Sequence, residues 1–481
     1  MQWLDLKQSY NYLRICSLSF VVILFMACAT TQKQKKTNQE LYINVNTVGI
    51  IGDGKTDNRI AIETALNKGG NYYFPKGIYL ISSYTYVYNI IRIADNTTGL
   101  KLVFEDGASL KAANNLISDK DKGCLLCFIS AKADIPFIKI ENLQIDGNKT
   151  HQKGMINGVM FYEQPNFFIR EVSINKAYIH HTTGGGLHSE ALYTNLKNIR
   201  TEYCGSHGIG LNQSYNQGTI HTTEIDGHFS MNDEAYSIDF SAPSDENDPK
   251  KANPNFQFKG IVKNITSINS TYGIKTAGYW DLEMQNVKIF SSKNNGFFLS
   301  KDATNKKVSI RNLHIAHCKG NGLFLAAKSI FWGENITIDS CNAPLTIYET
   351  TTDIRGLKIN NNLKNIVCIT IEGEINQRVS IDSFAITGNN EDNTYLITTR
   401  NEASKFSNGF IKNNKSPYFL FVGEKVNTCE LSNMTFENNS FYNILTPIGD
   451  KKTLKILNIR GVSSQKIIRK LDNRKLDKII E

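Results

Sequence analysis

Four residues of unlike chemistry fall on one side of a repeating strand. His188, Asn212, Asp239 and Lys275 each follow an apolar residue, respectively Leu187, Leu211, Ile238 and Ile274. Strict apolar–polar alternation sends successive side chains to opposite faces, so the residue after each buried one points outward. Ser300, after Leu299, continues this column, and Glu190, Ser214, Ser241 and Asp302 form a second line two residues further on. Such a mixture of acid, base and amide is unusual for a face with only structural duty, which more often repeats Asn, Ser or Thr. It suits proton transfer. Lys275 or His188 is a candidate base, Tyr279 or His207 a candidate proton donor, and Asn212 a hydrogen-bonding amide. Asp239 with Glu190 or Asp302 offers the alternative of two carboxylates acting as a pair. Lys301 and Asn148 complete the candidates as binding residues. Each has an ordinary reading as well: a solvated strand lysine, a satisfied surface histidine, a carboxylate supporting a turn. The set carries more than its members.

The elements that must position these residues announce themselves by repetition. The inward positions Leu187, Leu211, Ile238, Ile274 and Leu299 are separated by 24, 27, 36 and 25 residues, and Asn295-Gly296-Phe297-Phe298-Leu299 is echoed 26 residues later by Asn321-Gly322-Leu323-Phe324-Leu325. A self-similar period in the twenties marks a solenoid, in which each turn buries its apolar row only against its neighbours. Asn, Gly, Ser, Thr and β-branched residues fill the repeats, and no long segment carries a helical apolar stripe, so strands form the walls. The fixed leucine–asparagine pattern of leucine-rich repeats is missing. The expected fold is all-β, a single right-handed parallel β-helix in which neighbouring coils lie about 4.8 Å apart. Four outward residues would then line a groove several sugar rings long. The 36-residue gap holds roughly ten extra residues within 241–257, an outsized polar loop beside Asp239 that could wall a cleft.

Other chemistry-bearing motifs are read as structural. Cys124-Leu125-Leu126-Cys127 has no partner pair for a zinc or redox site. Cys204, Cys318 and Cys341 precede inward positions, where a small buried side chain stacks well. His180-His181 resembles a ligand pair but has no carboxylate at a fixed spacing, so turn residues are expected. Asp146-Gly147-Asn148 needs no function as a turn, although it could line a cleft.

The net charge of +9 over 481 residues is concentrated at the ends: residues 451–481 carry net +7, residues 1–38 net +4 and the body net −2. Global charge is therefore no argument for nucleic acid or an acidic polymer, and nucleic acid is not an expected partner. Lys7 and Arg14 precede an apolar run, Ile15 to Ala27, too short to span a bilayer. It reads as a signal peptide over residues 1–27. Ala27-Cys28 and the polar, basic stretch behind it resemble a bacterial lipoprotein signal, with Cys28 lipidated and residues 28–41 a tether. Phe25 and Met26 depart from that pattern and leave ordinary secretion as the alternative. Residues 42–450 are expected to form the β-helix, and 451–481 a basic C-terminal cap with an amphipathic helix over Ile467–Ile480. The chain is expected to be a monomer, exported to a bacterial outer membrane.

Gly52-Asp53-Gly54-Lys55-Thr56-Asp57, the apolar side of a short helix at Ala61, Ile62, Ala65 and Leu66, and Gly69-Gly70 with Phe74-Pro75-Lys76-Gly77-Ile78-Tyr79 resemble the N-terminal signature of the pectate lyase superfamily of β-helix proteins. Asn58 stands where that motif usually has a second Asp. The resemblance implies a helix-capped right-handed β-helix and a polysaccharide substrate; such proteins include polysaccharide lyases, glycoside hydrolases and phage-type depolymerases. A lyase acting on a uronate polymer is the first expectation. Calcium held by Asp239 or Glu190 could then steady the substrate carboxylate. Ser206-His207-Gly208 and Gly273-Ile274-Lys275 resemble fragments of polygalacturonase-type hydrolases, whose Asn-Thr-Asp and Asp-Asp signatures are absent here. A non-catalytic glycan-binding β-helix is the third possibility.

Overall fold

The computed structural model of the protein describes residues 42–461 apart from 85–87, 213–217, 243–254, 301–303, 327, 361–366, 374–376, 390–394 and 448–452. Cys28, Ser214, Lys301, Asp302, most of the loop 241–257 and the amphipathic segment around Ile467–Ile480 lie outside the described residues.

Each coil contributes one short strand and one long one. Short strands such as Leu187–Ser189, Ile209–Leu211, Tyr236–Phe240 and Tyr272–Thr276 stack into a 14-stranded sheet; long strands such as Glu171–His180, Tyr193–Glu202, Ile220–Met231 and Gln257–Ile268 stack into an 18-stranded sheet. Neighbouring strands pair in parallel, one coil against the next. Crossovers between parallel strands take the right hand, and the result is the right-handed parallel β-helix that the repeat predicts.

The long strands are bent midway by a residue in the left-handed region, and asparagine is the residue that tolerates it best after glycine. Asn264, Asn286, Asn312 and Asn335 hold this position on successive coils with φ between 55 and 59°. Their side chains bond in a ladder: Asn286 Nδ2 donates to Asn264 Oδ1 at 3.0 Å, Asn312 to Asn286 at 3.0 Å and Asn335 to Asn312 at 3.2 Å. Amides satisfy one another along the axis where the backbone ladder turns.

Inside, isoleucines and leucines align coil on coil, and Leu187, Ile209, Ile238, Ile274 and Phe297 form one fully buried row. Cys204, Cys318 and Cys341 are buried thiols, as are Cys124 and Cys127. Helix Arg59–Leu66 turns Ile62, Ala65 and Leu66 onto the first coil and closes the N-terminal end. Asp57 Oδ1 accepts the Arg59 N–H at the start of this helix, while Asn58 is spent elsewhere, bonding both N–H and C=O of Ile51. At the other end the β-helix runs past residue 450: Thr453–Arg460 pairs with Thr428–Glu437 as a further long strand. The Lys- and Arg-rich composition of 451–481 hid it, although Leu454 and Ile456 are buried and alternate with the exposed Lys455 and the half-buried Leu457.

Candidate functional site

The outward column exists, with a corrected register. His188 pairs with Gly210, Gly210 with Asp239, Asp239 with Lys275 and Lys275 with Phe298. Asn212 and Ser300 are therefore not in the row of His188. Each sits two residues later on its own coil, because alternation fixes the face of a strand but leaves shifts of two open. Ile209 and Phe297, not Leu211 and Leu299, stack beneath Ile238 and Ile274. Asn212 instead falls level with Glu190 and Ser241, its N–H bonding Ser189 O and its own coil's Leu211 O accepting the Ser241 N–H.

Gly210 leaves a gap in the column, and His207 fills it from the preceding turn. A Cβ on Gly210 would overlap His207 Nε2 and lie 3.1 Å from His188 Nδ1; a Cβ on Gly185 would lie 2.9 Å from His207 Nε2. Neither glycine has a positive φ. What each supplies is the missing side chain, and the His207 ring lies across both. Two imidazole nitrogens, one from each histidine, thus border a single opening.

Each ring has a polar neighbour behind it. His188 Nε2 faces Glu190 Oε1 at 3.5 Å, and Glu190 Oε2 accepts the Glu163 N–H at 3.1 Å. His188 stands beside Tyr162 with ring centroids 5.4 Å apart. His207 Nδ1 lies 3.3 Å from the Ser206 hydroxyl. His188 Nε2 is buried beside the Glu190 carboxylate without a hydrogen-bond partner among the described residues, and His188 turns Nδ1 toward the opening. His207 turns its other nitrogen, Nε2, toward the same opening. Burial, with smaller contributions from the neighbouring His188 and Lys275 and opposed by Asp239, pushes the His207 pKa down to about 4. His207 is therefore neutral at ordinary pH.

One coil on, Lys275 Nζ is 3.5 Å from Asp239 Oδ1 and 4.9 Å from the centre of the Tyr236 ring, and Asp239 Oδ1 also accepts the Ser241 hydroxyl at 2.6 Å. An ammonium held between a carboxylate and an aromatic face is placed to bind an anion. The expected calcium does not fit these groups. Asp239 already faces an ammonium, and Glu190 is 1% exposed and bonded to backbone; a calcium ion takes six to eight oxygens.

The remaining candidates lie apart from this opening. Tyr279 starts a long strand of the other sheet, paired with Gln257. Asn148 is a turn residue with φ 53°, its Nδ2 bonded to Ala112 O and Asn114 Oδ1. Gly185, Gly210 and Tyr236 also lie at the site and were not singled out, and Ser206 entered only as part of the Ser206-His207-Gly208 motif. The signal available for them was His207-Gly208-Ile209-Gly210, a strand whose outward residue is a glycine directly after a histidine turn.

A separate concave surface of about 990 Å3 lies on the outer face of the long strands around Trp332, Arg311, Asp353 and Lys405, well away from the opening in register and in sheet.

No known family pattern matches the sequence, and no curated protein matches it. Among solved structures the chain is similar to the A-module of a mannuronan C-5 epimerase from Azotobacter vinelandii, at 12% identity over 85% of this chain and 99% of that one, with a TM-score of 0.41. It is similar to PfbA, a surface adhesin of Streptococcus pneumoniae, at 13% identity over 81% and 92%, with a TM-score of 0.43. It is similar to a family 28 exopolygalacturonase of Yersinia enterocolitica, at 11% identity over 85% and 79%, with a TM-score of 0.43. An epimerase, an adhesin and a hydrolase are named among them, so these likenesses carry no reaction.

Proposed function

We propose that this chain is an exported polysaccharide-degrading β-helix that cleaves a uronic-acid-containing glycan by β-elimination at the Gly210 opening. The observation that carries the reading is His188 Nδ1 and His207 Nε2 facing one opening, with a lysine ammonium on the same wall. In this elimination a base takes the proton beside the uronate carboxylate, the released electron pair forms the ring double bond, and the bond to the neighbouring sugar oxygen breaks, that oxygen keeping the bonding pair and taking a proton from water. His188 Nδ1 takes the proton, and the Glu190 carboxylate behind Nε2 stabilises the imidazolium that results. Lys275 anchors the substrate carboxylate through a charge-assisted contact. His207, held neutral, gives a hydrogen bond to the departing oxygen.

Hydrolysis by two carboxylates is the second reading. It is less well supported, because Glu190 is 1% exposed and leaves Asp239 without that partner within a substrate's reach. Incubation with pectin, alginate, glucuronan and neutral glycans separates the cases. New ultraviolet absorbance from an unsaturated uronate is the expected outcome, and His188→Gln lowers its rate by about 10²- to 10⁴-fold, the usual contribution of a positioned base. Reducing ends without that absorbance mean a hydrolase; affinity with neither means a glycan-binding protein.

The same proposal takes the protein to act as a monomer, tethered to the membrane through a lipid on Cys28. The apolar run after Lys7 and Arg14 and the small Ala27 before Cys28 support this. Incorporation of labelled fatty acid, lost in Cys28→Ala, is the expected result.

A further inference from the structure

On the coil that leads into His188, at the corner after its long strand, Asp146, His180 and His181 converge. One donor atom from each lies within 4.8 Å of the others. The carboxylate that the sequence spacing could not supply comes from the neighbouring coil, since Asp146 and His180 are directly paired across the sheet. Two consecutive strand residues ordinarily point to opposite faces. Here His181 is in the left-handed region at φ 52°, which swings its ring to the side of His180. The two Nδ1 atoms stand 2.8 Å apart, and His180 Nδ1 is 3.9 Å from Asp146 Oδ1.

Both rings are clamped. Tyr178 stacks on His180 with centroids 4.4 Å apart, and Tyr203 stacks on His181 at 5.0 Å. Asp146 Oδ1 accepts the Asn148 N–H and Oδ2 pairs with Lys111 at 3.0 Å, so the carboxylate is fixed with one oxygen toward the histidines. The side chains of Asp146 and His180 remain 21% and 13% exposed, enough for an ion to enter from solvent.

We propose that Asp146, His180 and His181 bind a divalent transition-metal ion of the zinc class, which ties two coils together and keeps an outward position for water. Two imidazoles and one carboxylate favour zinc, nickel or cobalt over calcium or magnesium, whose ligands are oxygens. This site is independent of the Gly210 opening and of the reaction assigned to it.

Isothermal titration calorimetry of the untagged full-length protein with zinc chloride tests it. The expected result is one ion per chain, no comparable heat with calcium chloride, and a rise in thermal midpoint with zinc. His181→Asn keeps a residue suited to the left-handed turn, and Asp146→Asn keeps an oxygen for the Asn148 N–H, so both variants should fold. Each should weaken zinc binding by more than about tenfold, while Lys111→Met, which removes the competing ammonium, should tighten it. Absence of saturable zinc binding, or wild-type affinity in His181→Asn and Asp146→Asn with their circular dichroism unchanged, overturns the proposal.

Discussion

The ring of His207 occupies the space that a side chain at Gly210 would take, so the histidine of one turn completes the column of the strand that follows it. His207 and Gly210 therefore behave as one unit. Gly210→Ala puts a methyl group onto Nε2 while leaving an ordinary backbone conformation. The ring must rotate away from the opening, and a displacement of about 1 Å at a reacting group commonly costs on the order of 10²-fold in rate. We expect kcat on a uronate polymer to fall by about that factor with far-UV circular dichroism intact. Full activity in Gly210→Ala would show that His207 has no part in turnover.

Lys275 stands on the same wall but is assigned a different duty, and the kinetics should separate the two. Lys275→Met removes the ammonium and keeps most of the stem that lies against Tyr236. A lost charge-assisted contact to a carboxylate is worth roughly 1.5–3 kcal/mol, so kcat/KM should fall by about 10- to 100-fold, with most of the change in KM. Asp239→Asn leaves Lys275 without its partner and should shift KM in the opposite direction for an anionic substrate. A kcat effect of Lys275→Met as large as that of His188→Gln would instead make Lys275 the base.

The outward face of each short strand was legible in the sequence and the register between strands was not. Leu187, Ile238 and Ile274 do stack, and His188, Asp239 and Lys275 do share a wall, because alternation fixes which side of a strand is wet. Asn212 and Ser300 obey the same alternation one pleat too far, and nothing local distinguishes Ile209 from Leu211 as the residue that meets Ile238. The role of Glu190 was hidden for a similar reason. Its place in the second line is correct, but that line curls inward at its coil, where Glu163 bonds it. Likewise the His180-His181 pair could not show its carboxylate, since Asp146 reaches it only through pairing between coils.

The asparagine ladder is a stability feature that can be tested away from the site. Asn335 has φ 55° and donates to Asn312 at 3.2 Å. Asn335→Ala loses that bond and keeps a Cβ in a conformation that costs about 1–2 kcal/mol for residues other than Gly, Asn and Asp. With a net hydrogen-bond contribution of about 1 kcal/mol, the loss should be roughly 2–3 kcal/mol. Asn335→Gly relieves the conformational part and should lose about half as much. Equal losses in chemical denaturation would mean that the left-handed turn itself costs little here.

Acid sensitivity should come in part from buried histidines, and His228 isolates the effect. It points inward between Ile199 and Ile265, with Nδ1 3.3 Å from Ile199 O, and burial pushes its pKa down from 6.5 to about 4. The unfolded chain takes up the proton near pH 6.5 and the folded chain only near pH 4. Stability is therefore complete above pH 6.5 and falls as the pH drops, by about 1.4 kcal/mol per unit through that window. His221 and His207, both pushed down to about 4 mainly by burial, act in the same direction. His228→Ile continues the isoleucine row with a side chain of similar volume, so its stability at pH 7.5 should stay within about 1.5 kcal/mol of wild type. Between pH 6.5 and 4.5 the variant should lose less stability than wild type, and the two curves should separate steadily as acid is added. Parallel curves over that range would mean that His228 takes no proton on unfolding, and that the acid dependence lies with the other titrating groups.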